Sequence, residues 1–271
     1  MVVKPGGEGL IPFAQDEALK NEVEKLRIEL SMLVLERDEL VHVECRNLEM
    51  RYLLVFGELE YSIFHLECLI LREKRRGALI QAKKNRQEKV DLALIDSQLD
   101  NELADWQQRL NQRIERMKQA YEWKAARVMT DEETREMKKL YRAVVKALHP
   151  DLNPEAGEEE LRLFQHAVSA YERGDLGEMR LIFEAVKGRL PLDSLSGGKE
   201  ALNDEKLRLT RLIEEARKDM ERIRQRFPYT EKELLNSPEK VETRREALAR
   251  RIQELEQVLD AWNKKTLEIM R

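Results

Sequence analysis

The sequence predicts an all-α protein in which long antiparallel helical or coiled-coil segments flank a small helical hairpin. Three observations carry that expectation. Ala, Glu, Lys, Leu and Arg make up about 55% of the 271 residues, a composition that with helical periodicity signals long helices. Apolar residues recur at alternating steps of three and four through most of the chain, the period of a helix seam rather than of a strand. Gly and Pro number only 11 and 7, so helix-breaking punctuation is sparse.

The elements follow in order. Residues 1–15, with Pro5, Gly6, Gly7, Gly9 and Pro12, read as a mobile arm. Leu19, Val23, Leu26, Leu30 and Leu33 form a heptad seam. Arg37 falls where the next seam residue belongs, so the repeat slips there. A break is expected at Gly57, then a helix carrying Leu59, Ile63, Leu66 and Ile70. Residues 85–90 lack apolar period and read as a connection, with Asp91 as the N-cap of the next helix. That helix continues through Leu99, Leu103, Trp106, Leu110, Ile114, Met117 and Tyr121. Residues 16–128 are therefore expected to form three long antiparallel helices.

A new unit is expected over 129–190. Thr130 and Glu133 form a capping box at its first helix, which must stop before Pro150 because proline disfavours helical geometry in the preceding residue. Leu161, Phe164, Val168 and Tyr171 mark a second helix ended by Gly174. Leu176, Met179, Ile182 and Val186 mark a third. Residues 191–199 read as a linker. Beyond it, 200–271 holds 16 acidic and 17 basic side chains, which suits a solvated helical hairpin. Phe227-Pro228 breaks it, Thr230 with Glu233 reads as a second capping box, and Ser237-Pro238 as N-cap and first helical residue.

Composition also excludes function classes. No run of about 18 apolar residues exists to cross a membrane, and the start lacks the apolar core of a secretion signal. The expected setting is the cytoplasm. Net charge is −4, from 49 basic and 53 acidic residues, a balance that gives little support for nucleic-acid binding. The basic clusters Arg72–Arg76 and Arg222–Arg226 read as exposed helix faces. Two cysteines cannot build a disulfide framework. His42-x-x-Cys45 and His65-x-x-Cys68 each share one helical face. About a turn at Gly57, however, a rise of about 1.5 Å per residue sets their ligands about 10 Å apart along the axis, too far for one tetrahedral ion. No metal and no cofactor are expected. No Gly-rich phosphate loop or nucleophile motif is present, so the protein is not expected to be an enzyme.

The informative stretch is Leu140–Pro154, LYRAVVKALHPDLNP. At 100° per residue, Met137, Leu140, Tyr141, Val144 and Leu148 share one face of the first helix. Arg135, Lys138, Lys139, Arg142 and Lys146 cluster on the opposite face. His149-Pro150-Asp151 then fills the turn, and Glu155, Glu158, Glu159 and Glu160 crowd the start of the next helix, where the dipole favours them.

Over about residues 130–188 this pattern resembles the J-domain of DnaJ-type co-chaperones. Tyr141 and Arg142 precede His149 by eight and seven residues. The His-Pro-Asp tripeptide, Asn153-Pro154, Phe164 and Ala170-Tyr171 follow in the family's order. The resemblance implies a core of Leu140, Tyr141, Val144, Leu148, Phe164, Val168 and Tyr171. It implies that Arg135, Lys138, Lys139, Arg142 and Lys146 dock on an acidic face of a DnaK-type ATPase chaperone. His149, Pro150 and Asp151 would trigger its ATP hydrolysis, with Asp151 pairing with a cation of the partner. The usual short first helix is missing before Thr130. The end of the third long helix, Tyr121 to Val128, is expected to cover that face instead. The flanking helices would hold a client protein, a homodimer partner or a cellular structure. The rival expectation is a coiled-coil scaffold whose J-like part is degenerate.

Overall fold

The computed structural model describes residues 11–125, 129–186 and 199–271. The fold is all-α, with no strand among the described residues. In chain order the helices are α1 (Ile11–Glu39), a π-helical segment (Leu40–Cys45), α2 (Arg46–Asn85), α3 (Leu92–Glu102) and α4 (Ala104–Ala125). Then come α5 (Asp131–Leu148), α6 (Glu158–Arg173), α7 (Leu176–Val186) and α8 (Lys199–Arg224). A 3-10 turn (Tyr229–Glu231), α9 (Lys232–Leu235) and α10 (Pro238–Met270) complete the chain. Residues 1–10 of the expected arm, residues 126–128, and the expected linker at 191–198 lie outside the described residues. Residues 11–15 of that expected arm are instead helical, in α1.

The chain folds as two compact units, Met1–Arg46 with Arg127–Tyr229, and Asn47–Ala126 with Thr230–Arg271. This replaces the expected consecutive segments: 16–128 and 200–271 are each divided between the units.

In the first unit α1 pairs with α8, and the two run parallel rather than antiparallel. Glu22, Glu29 and Glu36 of α1 meet Lys206, Arg217 and Arg224 of α8 at 2.7, 2.6 and 3.4 Å. Partner numbers rise together along both helices. Val23, Leu30 and Val34 of α1 and Leu202, Leu209 and Ile213 of α8 share one core with α5, α6 and α7. Ser31 and Asp38 are buried beside the seam, which widens the buried face of α1 beyond its apolar stripe. One partner covers a narrower stripe; α1 is covered by both α8 and α5. The π-helical segment follows from the same seam. Leu40 and Cys45 are five residues apart yet pack together with Met220, a spacing that an i→i+5 helix brings onto one face.

Within that unit the helix boundaries of α5, α6 and α7 agree with expectation. Thr130 accepts from the Glu133 amide at 3.2 Å and its own amide donates to the Glu133 carboxylate at 2.9 Å. Gly174 ends α6 at φ +69°, a left-handed position that glycine adopts without strain.

The second unit corrects another expectation. α2 runs unbroken through Gly57. A Cβ there would lie 3.1 Å from Met117 Cγ, so this glycine serves close approach to α4 rather than a turn. α3 and α4 return antiparallel along α2. Asp91 caps α3 by accepting from the amides of Ala93 and Leu94, Arg76 meets Asp96 at 3.0 Å and Arg72 meets Asp100 at 2.6 Å. α10 runs parallel to α2: Arg51 donates to the Leu235 carbonyl, Lys74 lies over the Trp262 ring and Gly77 faces Thr266. Ser237 and Pro238 start α10 as expected. Thr230 and Glu233 do not form a capping box; Thr230 lies in the 3-10 turn and Glu231 is the N-cap of α9.

Candidate functional site

The site lies in the first unit, where α5 ends. The apolar face of α5 is as its periodicity implies: Met137, Leu140, Tyr141, Val144 and Leu148 are buried, with Val145 beside them. Phe164, Val168 and Tyr171 of α6 pack half-buried against this core. The Tyr141 and Tyr171 rings stack at 4.1 Å between centroids. Phe164 meets the His149 ring edge-on at 5.0 Å. Two helices are thereby clamped at both ends of their contact, and the intervening turn is held between them.

The turn is internally bonded. His149 leaves the helix with extended backbone (φ −63°, ψ 128°), and its amide still donates to the Val145 carbonyl. Its own carbonyl accepts from the amides of Leu152 and Asn153 at 3.0 and 2.8 Å. The Asn153 side-chain amide donates to the carbonyls of Lys146 and His149 at 3.1 and 3.2 Å. It thus satisfies an acceptor that the end of α5 would leave open. The Asp151 amide faces His149 Nδ1 at 3.1 Å. Pro150 is exposed at the tip, while His149 is only 3% exposed.

No family model, curated protein or solved structure matches this chain. The reading of the site therefore rests on its geometry.

The basic face of α5 divides into two parts. Arg135, Lys139, Arg142 and Lys146 are exposed, and no carboxylate pairs with them among the described residues. Lys138 is different: it is half-buried and ion-paired with Glu39 of α1. The four free cations present a row of donors on one side of a rigid helix. Charge complementarity of such a row to an acidic surface would raise association rate and fix orientation.

Sequence reasoning missed the residues of α1 and α8 that meet the turn. Arg37 places one guanidinium nitrogen 3.0 Å from His149 Nε2 and 3.3 Å from Asp38 Oδ1, and the other 3.5 Å from Asp151 Oδ2. The buried Asp38 carboxylate accepts from Tyr141 Oη at 2.8 Å. Burial and that neighbouring charge push the Tyr141 hydroxyl far above its ordinary pKa. Arg208 of α8 donates to the Asp151 carbonyl at 3.2 Å and is held by Glu205. The signal for Arg37 was visible as the charged residue at a seam position. Nothing in the sequence pairs it with residue 149. The expected cover from Tyr121–Val128 is also corrected. Tyr121 belongs to the second unit and is exposed, and α1 covers this face.

The protonation state of His149 follows from its surroundings. A guanidinium can only donate, and so can an amide N–H. Arg37 lies against Nε2 and the Asp151 amide against Nδ1, so a second ring proton would meet a donor, and the Asp151 carboxylate, 3.8 Å from Nδ1, is beyond hydrogen-bond distance. Burial, opposed by the Asp151 and Asp38 charges and aided by Arg37, holds its pKa below the ordinary histidine value. The ring is neutral and accepts one of the two donors at a time.

The two His-x-x-Cys pairs serve other contacts. His42, in the π-helical segment, bonds Glu172 of α6 at 2.6 Å, and Cys45 is buried. His65 stacks on Tyr61, and burial raises the Cys68 thiol pKa. The separation argued from a turn at Gly57 lapses with that turn. No cluster of three metal-ligating side chains occurs among the described residues.

Proposed function

We propose that the protein is a J-domain co-chaperone that binds a DnaK-type ATPase chaperone and stimulates its ATP hydrolysis, with no catalysis of its own. One observation carries this reading. Four exposed cations on α5, with no carboxylate partner among the described residues, lead directly into an internally bonded His149-Pro150-Asp151 turn held by the Phe164 ring of α6. In this reading Arg135, Lys139, Arg142 and Lys146 dock on an acidic face of the partner, and the turn delivers the stimulus. The helices of the second unit would hold the client protein or a second copy. No described helix is long and apolar enough to cross a membrane, and the proposed setting is the cytoplasm, beside the chaperone.

Binding of the ATP-bound chaperone tests the docking face. Lys139→Glu with Arg142→Glu should weaken binding at least tenfold, and raising the salt should weaken native binding. Binding that ignores both changes would remove the reading. A scaffold with a degenerate J-like part is favoured by a different observation, the covering of His149 and Asp151 by α1 and α8. It predicts that neither the charge reversal nor His149→Gln alters the protein's partners.

A further inference from the structure

We infer that Arg37 of α1 is an internal ligand of the His149–Asp151 turn, which a partner must displace before it can use Asp151. This rests on the co-chaperone reading and adds a regulatory contact to it. Arg37 stands in a row of apolar seam residues, yet its side chain is neither core nor free: 22% of it is exposed. It reaches three groups at once, His149, Asp151 and Asp38. Asp38 is anchored by the Tyr141 hydroxyl, so the guanidinium is held from behind and aimed at the turn. The next residue, Glu39, neutralises Lys138. Arg37 thus holds the carboxylate of the turn, and Glu39 holds Lys138, a cation that would join the docking row of α5 once released.

The grip is suited to exchange. Arg37 meets Asp151 through one long contact of 3.5 Å, and the carboxylate is 35% exposed. A partner offering its own cation, while its acidic face takes the row on α5, competes for the same oxygens. The competent fraction of the free protein is then below one, and the apparent affinity falls by that fraction.

The experiment titrates the full-length protein into a DnaK-type chaperone and reads the steady-state ATPase rate, with native protein, Arg37→Met and Glu39→Gln. Methionine keeps the aliphatic length at a half-buried site, and circular dichroism checks the helix content. Glu39 is exposed enough that its loss spares the fold. The expected result is a half-maximal concentration about fivefold lower for Arg37→Met and about twofold lower for Glu39→Gln. Hydrogen exchange on the protein alone should show faster exchange at 151–153 in Arg37→Met, with α5 still protected. Native stimulation with an unchanged or higher half-maximal concentration in both variants would overturn the internal-ligand proposal alone. So would unchanged exchange at the turn. Silence of native protein and variants alike, where a known J-protein stimulates, would overturn the co-chaperone reading and the gating with it.

Discussion

Replacing Tyr141 with phenylalanine deletes one hydroxyl and keeps the stacked ring pair. The hydroxyl donates at 2.8 Å to Asp38, which is 5% exposed. A hydrogen bond to a charged group is worth about 1.5–3 kcal/mol. Asp38 retains Arg37 at 3.3 Å, which keeps the cost towards the lower end, at about 2 kcal/mol. That is a change of about 30-fold in the opening equilibrium of the first unit. Tyr171→Phe is the control, because it keeps the stack and no described residue bonds the Tyr171 hydroxyl; its cost should stay within about 0.5 kcal/mol. Amide exchange along α5 is the assay. The tryptophans, Trp106, Trp123 and Trp262, all belong to the second unit, so their fluorescence should unfold as in the native protein. Equal exchange in the two phenylalanine variants would refute the claim that Asp38 and Tyr141 tie α1 to α5.

Other expectations follow from the same contacts. His149 is neutral when folded and its pKa is depressed by burial. Its contribution to stability is therefore full above the unfolded value of about 6.5 and is lost as pH falls through the folded value. Arg37, Asp38 and Asp151 face the ring, so melting curves from pH 7.5 downward should fall more steeply for native protein than for His149→Gln; parallel curves would contradict a neutral ring. Gly57→Leu forces a side chain into the space of Met117 and should destabilise the second unit by about 1–3 kcal/mol, read by tryptophan fluorescence. No loss there would mean that the close approach of α2 to α4 is absent. Asn153→Ala should cost about 1 kcal/mol in the first unit, because it removes the donor to the Lys146 carbonyl, while the His149 carbonyl keeps the Leu152 and Asn153 amides; native-like exchange at the turn would contradict that capping role.

Local rules made much of this molecule legible. The capping box at Thr130, the stop before Pro150, the left-handed Gly174 and the Asp91 and Ser237 caps are each set by neighbouring residues, and all appear in the fold. The apolar face of α5 was equally plain, since a period of 3.6 places Leu140, Tyr141, Val144 and Leu148 together. Long-range pairing was not legible. Heptads at Val23 and Leu209 fit parallel or antiparallel partners alike, so α8 could not be assigned to α1. Gly57 carries the same letter whether it turns the chain or admits a neighbouring helix, and only Met117 distinguishes the two. Within the candidate site, the cations and the tripeptide stood out by type and spacing. Arg37 stood out only as an interruption, because its target lies more than a hundred residues away. Seven-residue steps could place glutamates on α1; which basic residues they meet is decided by tertiary packing.

The central claim is tested most directly by the steady-state ATPase rate of a DnaK-type chaperone, titrated with native protein and with His149→Gln. The account predicts stimulation by the native protein and none by the variant, whose helix content stays native. Stimulation that survives in His149→Gln, or no stimulation by native protein where a known J-protein works, would contradict it.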